Sequence, residues 1–288
     1  MFWNTITNLI AIIIFAQPGG FVADVNPNLN IISSVESPSV IMVEAEKAVV
    51  LGDDRSFLFA KDADVVQPIA SITKLMTALV FLDNNPGWEE VYQISSEDRV
   101  LGGRLNLYLG ERVKVKDIFN TSLIASDNGA TLALVHSTGL DEEEFVEEMN
   151  IKAKELGLVN TSFVDPIGLS DSNVSTAREV AWLAKTALGD RDITEATSKK
   201  EHRFKAVNGR NKVIESTNYL LFDTKKSFKV LGGKTGYTNE AGYCFVGRFR
   251  NSDDREFIAA VLGSDGINTR FQETKKIVNW TIDNYIWK

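Results

Sequence analysis

Three short motifs hold residues whose types and spacing suit acyl-transfer chemistry. Ser71-Ile72-Thr73-Lys74 sets a hydroxyl and an amine three positions apart. On a helix that spacing puts both on one face with their side chains in reach. A serine hydroxyl becomes a nucleophile only when a base takes its proton. A lysine can be that base if burial and a second cation drive its own proton off near neutral pH. A plain N-cap is the alternative role for Ser71, but such a serine favours Glu or Gln three residues later. A first-turn lysine also opposes the helix dipole. The second motif, Ser126-Asp127-Asn128-Gly129, falls between two helical stretches, where Asn-Gly alone reads as a turn. The third, Lys234-Thr235-Gly236, follows Gly232-Gly233 on a strand-like run, where glycine permits close backbone approach. Each motif alone is weak; the ordered set is specific. It requires Lys234 to supply the second cation, so that both lysines converge on the Ser71 hydroxyl.

The elements that must position these residues follow from hydrophobic periodicity. Residues 40–51, rich in Val and Ile, and residues 56–61 read as two strands around the turn cluster Gly52-Asp53-Asp54-Arg55. Ile69, Ile72, Leu75, Met76, Leu79 and Val80 recur at helical spacing, which places Ser71 in the first turn of a helix after Pro68. Further helices are expected over 114–125, 130–137, 142–156 and 177–188. Strands return over 230–237, 242–250 and 256–263, and an amphipathic helix over about 270–286 closes the chain. Strands at both ends with helices between them predict an α+β fold. The terminal strands would join in one antiparallel sheet covered on one face by the closing helix.

Composition narrows the function. The net charge is −8 with no basic cluster, which argues against a nucleic-acid partner. One cysteine, Cys244, rules out an internal disulfide, and its apolar surroundings predict a buried thiol. Two histidines, His136 and His202, are too few for a three-histidine metal site. No metal and no cofactor is expected. Ile6 to Ala16 is an apolar run shorter than the roughly 20 residues of a membrane span. It fits a secretory leader or N-terminal anchor over 1–16, although the first basic residue is Lys47 and no clean cleavage site follows. Residues 17–39 read as a linker and 40–288 as the folded, extracytoplasmic domain.

S-x-x-K, S-x-N and K-T-G in this order resemble the set shared by class A β-lactamases and penicillin-binding proteins. From about residue 40 to 286 the sequence is similar to the D-alanyl-D-alanine carboxypeptidase family of low-molecular-weight penicillin-binding proteins. The likeness includes Pro68 to Ala78, Leu156-Gly157 through Gly168-Leu169, Ser175-Thr176-Ala177-Arg178, Asn218-Tyr219-Leu220-Leu221, and Lys234 through Tyr243. It implies a β-lactamase/transpeptidase-like fold with a five-stranded antiparallel sheet and a mostly helical middle region. It also implies a serine peptidase that removes the terminal D-alanine of peptidoglycan stem peptides ending in D-Ala-D-Ala, and that β-lactams inhibit covalently.

The resemblance makes Ser71 the acylated nucleophile and Lys74 its base. Ser126 relays protons toward the leaving amine, and Asn128 binds the substrate backbone. Lys234 and Thr235 of the Lys234-Thr235-Gly236 strand bind the terminal carboxylate, with help from Arg270. The backbone N–H groups of Ser71 and Tyr237 form the oxyanion hole. Two departures stand out. Gly129 follows the S-x-N asparagine where an acidic residue is common, and Asp165-Pro166-Ile167-Gly168-Leu169 replaces a segment with asparagine and histidine at its first and third positions. The sequence reaches Lys288 just after the closing helix, where many relatives continue into a small β domain and an amphipathic anchor, so membrane contact is expected only through the N-terminal segment, if that segment stays uncleaved. A D,D-endopeptidase or transpeptidase on the same site is the nearest alternative. A β-lactamase is disfavoured because no E-x-x-x-N segment lies between the second and third motifs. A non-catalytic penicillin-sensing module is disfavoured by three intact motifs.

Overall fold

The computed structural model describes residues 31–33, 39–100 and 105–287. The expected leader, and most of the expected linker, lie outside them. The centre is a five-stranded antiparallel sheet of β1 (Lys47–Gly52), β2 (Phe57–Lys61), β3 (Lys229–Thr238), β4 (Gly242–Arg250) and β5 (Glu256–Ser264). The spatial order is β3-β4-β5-β1-β2, so strands from the two ends of the chain meet at the β5–β1 pair. This is the α+β sheet that the sequence pattern and the family resemblance imply.

Among the described residues seven α-helices accompany it: α1 (Lys74–Asp83), α2 (Val115–Ala125), α3 (Asn128–Ser137), α4 (Glu142–Glu155), α5 (Ala177–Ala187), α6 (Arg191–Thr197) and α7 (Thr269–Asn284). Strand alternation decides which helix covers which face. Val49, Leu51, Val246, Ile258, Ala260 and Leu262 point into the core shared with α1 and α5. Their neighbours Ala48, Val50, Phe245, Phe257, Ala259 and Val261 point the other way, onto Phe271, Ile277 and Val278 of α7. The sheet is thus buried on both faces, which is why its strands read as near-continuous apolar runs.

The structure departs from the sequence-based expectation at several elements. Residues 40–46 are not strand: Val40 and Met42 are exposed, and Lys61 donates to the Val43 and Ala45 carbonyls in place of a ladder partner. Within the stretch read as a linker, Ile31–Ser33 pairs antiparallel with Tyr285–Trp287, which also ends the closing helix two residues early. The hairpin Glu201–Lys205 with Asn211–Glu215 went unrecognised, because half of its strand residues are charged and one face is solvated. Helix α6, capped by the Asp190 side chain on the Asp192 and Ile193 amides, was missed because it has only seven residues.

Candidate active site

Ser71 sits in a single 3-10 turn, Ala70–Thr73, that leads directly into α1. The expected helical turn is therefore present in its tighter form. Ala70, just before the serine, has φ of 48°, a conformation that costs an alanine about 1–3 kcal/mol. Packing from two sides holds it there. A Cβ at Gly236 on β3 would lie 2.9 Å from the Ile69 carbonyl oxygen and 3.3 Å from the Ser71 nitrogen. On the other side Gly168, at φ +78°, is so close that a Cβ would lie 2.2 Å from the Ala70 carbonyl oxygen. Both glycines let backbone approach the serine where no side chain fits. Gly168→Ala is expected to cost about 1–3 kcal/mol from its backbone conformation alone. Because the serine turn must also shift, penicillin acylation should slow about a hundredfold. Thermal unfolding and acylation rates measured together check this; an unchanged rate would mean the turn is not held by this contact.

Lys74 is fully buried. Its ammonium donates to Ser71 Oγ at 3.0 Å, to Asn128 Oδ1 at 2.7 Å and to the Ile167 carbonyl. Burial drives its pKa from the ordinary 10.5 to about 7, against the opposing pull of the Asp165 and Asp127 carboxylates. Lys234 is buried as well and donates to Ser126 Oγ at 2.7 Å and to the Thr235 carbonyl at 2.9 Å. Its pKa falls well below the ordinary value, first through burial and then through the charges of Lys74 and Arg270. Two corrections follow. The lysines serve two hydroxyls, with Lys234 on Ser126 and Lys74 on Ser71. The Lys74 shift comes from desolvation, while the repulsion between the two ammoniums acts on Lys234.

Ser126 caps the C-terminus of α2 in the left-handed conformation at φ 57°, which turns its hydroxyl toward Lys234. The next residue, Asp127, is almost fully buried and accepts from the Ala130 amide at 2.8 Å, starting α3, and from Asn106 Nδ2 at 2.7 Å. It pins the motif between two elements. Asn128 gives its carbonyl oxygen to Lys74, which leaves the Nδ2 group to donate outward. The glycine at position 129 has a steric reason: a Cβ there would lie 2.9 Å from the Asp98 carbonyl oxygen. His136 holds that Asp98 at 2.7 Å, and the bond raises the pKa of the imidazole.

The Asp165 segment, noted in the sequence only as a departure, proves to be part of the Lys74 environment. Its carboxylate accepts from the amides of Ile167 at 2.8 Å, Gly168 and Ser170 at 2.7 Å. That wrap presents the Ile167 carbonyl to Lys74, and Asn173 braces it by donating to the Asp165 carbonyl at 2.8 Å. Sequence reasoning also missed Thr217, whose hydroxyl lies 2.7 Å from that of Thr235. Its signal was the short Ser216-Thr217-Asn218 run, polar and sandwiched between apolar pieces.

Arg270 was expected as a carboxylate ligand or a surface cation. It is buried behind β3 and β4, donating to the Gly236 carbonyl at 3.0 Å. Burial lowers its pKa to about 10. Its contacts make it a positioning residue for the Lys234-Thr235-Gly236 strand. Tyr237 stacks its exposed ring on Tyr243 at 4.2 Å between centroids. Cys244 is a buried thiol whose pKa burial pushes up to about 11. Among the described residues no group of His, Cys, Asp or Glu side chains is arranged to hold a metal.

Fold and site together define a penicillin-binding-type serine hydrolase. The structure superposes on cefotaxime-bound penicillin-binding protein D2 from Listeria monocytogenes with a TM-score of 0.73. That match has 31% identity and covers 85% of this chain and 99% of the other. The chain is 34% identical over 228 residues to a D-alanyl-D-alanine endopeptidase of Pseudomonas aeruginosa, covering 77% of this chain and 72% of that protein. It is 33% identical over 249 residues to the D-alanyl-D-alanine carboxypeptidase DacF of Bacillus subtilis, covering 84% of this chain and 63% of that protein. Residues 32–266 match the D-alanyl-D-alanine carboxypeptidase family, and the chain belongs to it. It is accordingly a serine-type peptide hydrolase of the cell envelope.

Proposed function

We propose that Ser71 attacks the carbonyl carbon of the penultimate D-alanine in a stem peptide ending in D-Ala-D-Ala. Neutral Lys74 takes the hydroxyl proton as the C–O bond forms. The amides of Ser71 and Tyr237 hold the oxyanion; such donors are each worth about a hundredfold or more in rate. Collapse breaks the C–N bond, and Ser126 passes a proton to the departing amine. Water then hydrolyses the Ser71 ester and releases the shortened peptide. Lys234, Thr235 and Thr217 bind the terminal carboxylate, and Asn128 Nδ2 donates to the peptide backbone. An arriving carboxylate favours the proton on Lys234, and repulsion then disfavours one on Lys74. A β-lactam enters by the same attack, but its ring amine stays tethered to the acyl group and obstructs deacylation.

The observation that carries this reading is the buried Lys74 ammonium, 3.0 Å from Ser71 Oγ, with a pKa near 7. In this reading residues 1–16 direct export, and residues 40–288 form the catalytic domain. The apolar run from Ile6 to Ala16 supports export, and among the described residues no helix is long and apolar enough to cross a membrane. The test is product analysis. The purified protein is expected to release free D-alanine from a D-Ala-D-Ala pentapeptide and to be labelled covalently by penicillin. A protein that does neither is not this enzyme. A second reading, cleavage of D,D cross-links at the same serine, is favoured by the identity to the Pseudomonas endopeptidase.

A further inference from the structure

The 201–215 hairpin carries a lysine where its pattern calls for an apolar residue. Along Asn211–Glu215 the inward-facing positions hold Lys212 and Ile214, while Val213 between them is 47% exposed. A lysine is rarely buried unless it is paired, and a charge at a core position needs a reason beyond packing. We propose that Lys212, paired with Glu111, is a positioning residue for catalysis: it holds the segment around Asn106 against Asp127 and so fixes Ser126 in the orientation that protonates the leaving amine. The inference rests on the reading of Ser126 as the proton relay.

The Lys212 ammonium has three donors and three neighbours. Its Nζ lies 2.7 Å from Glu111 Oε2, donates to the Asn106 carbonyl at 2.6 Å, and stands 4.1 Å from the centre of the Tyr108 ring. Glu111 is buried too. Its Oε2 also accepts from the Tyr108 amide at 2.8 Å, and Arg210 lies 3.0 Å from its Oε1. The ion pair thus shapes residues 106–111 from within. Asn106 carries that order to the S-x-N motif: its amide and its Nδ2 donate to Asp127 Oδ2 at 2.9 and 2.7 Å. Asp127 Oδ1 is occupied by the Ala130 amide at the start of α3. A line of contacts therefore runs from Glu111 through Lys212 and Asn106 to Asp127, the residue next to Ser126.

The hairpin backs Ser126 from a second side. Ile214 and Phe204 pack on Ile124 and Ala125, the last two residues of α2, and the Thr217 amide donates to the Ile124 carbonyl at 3.1 Å. Ser126 sits in the short joint between α2 and α3 at φ 57°, a region a serine seldom occupies, so its neighbours must hold it there. Asn128 is already inside α3 and bonded to Lys74. Loosening Asp127 Oδ2 therefore falls mainly on Ser126.

The leaving group supplies a test that a merely structural role would not pass. An amine needs a proton to depart, whereas a thiolate leaves without one, so a displaced Ser126 should hurt amide cleavage alone. Lys212→Met removes the ammonium. The double variant Lys212→Met/Glu111→Gln removes both charges, leaves no buried carboxylate short of a partner, and decides the matter if the single variant does not fold. In each, kcat/KM for D-alanine release from a D-Ala-D-Ala peptide should fall about 30-fold or more, while kcat/KM for a thioester of the same acyl group stays within about threefold. Both constants report acylation of Ser71, and the thioester also reports the folded fraction. Ser126→Ala, measured beside them, should show the same split. Equal losses on both substrates in the Lys212 variants overturn the inference, as does wild-type amide cleavage by the double variant. A split in Ser126→Ala alone overturns the role of Lys212 and leaves the relay standing. If Ser126→Ala shows no split, or the wild type turns over neither substrate, the underlying mechanism has failed and the inference falls with it.

Discussion

Ser71→Ala is expected to abolish covalent labelling by penicillin and to lower D-alanine release by at least about 10⁴-fold. No neighbouring group can substitute as nucleophile. The Ser126 hydroxyl accepts from Lys234, and it lies at the end of α2, on the leaving-group side of the cleft in the mechanism above. The substitution should leave the fold intact, since the Ser71 hydroxyl is only half-buried and its hydrogen bond is to Lys74. The backbone N–H at position 71 remains, so the variant should still bind the peptide and hold part of the oxyanion site. It should therefore compete for substrate without consuming it. Intact-protein mass spectrometry after penicillin treatment gives the answer directly. A mass increase in Ser71→Ala, localised to any other residue, would overturn the assignment.

The contrast between what the sequence revealed and what it hid follows from which atoms do the work. Ser71, Lys74, Ser126, Asn128 and Lys234 act through side chains whose types the chemistry demands, so order and spacing were enough to select them. The Ile167 carbonyl acts through the backbone, and any residue supplies a carbonyl. Only the turn made by Asp165 places it, and in the sequence that turn looked like a departure and nothing more. The same holds at Gly129, where the reason for glycine is the backbone of Asp98, thirty-one positions earlier in the chain. Periodicity found the sheet and the long helices because both sheet faces and the helix stripes are apolar. It missed the hairpin over 201–215, whose alternating charged residues keep one face in water. Arg270 was underestimated for a related reason. A helix pattern shows where an arginine starts, but its reach to the Gly236 carbonyl is a property of packing between α7 and the sheet.

Lys74→Ala should slow acylation about 10²–10⁴-fold at neutral pH, the usual weight of a positioned general base. The pH dependence identifies the cause. At an unperturbed lysine pKa of about 10.4, roughly one amine in a few thousand is neutral at pH 7. Burial lowers the Lys74 pKa to about 7, so about half of the molecules hold a competent base at that pH. The sign follows: protonation removes the base, so the wild-type acylation rate should climb about tenfold per pH unit below 7 and level off above it. Lys74→Ala should lose this limb and leave a slow, nearly flat residue. Lys74→Arg separates base from charge. A guanidinium keeps the cation next to Ser71 and Asn128 but stays protonated throughout this range. It should be as slow as the alanine variant if proton removal is what Lys74 contributes. If it retained most of the rate, Lys74 would act as a fixed positive charge, and the proton of Ser71 would have to leave by way of Ser126.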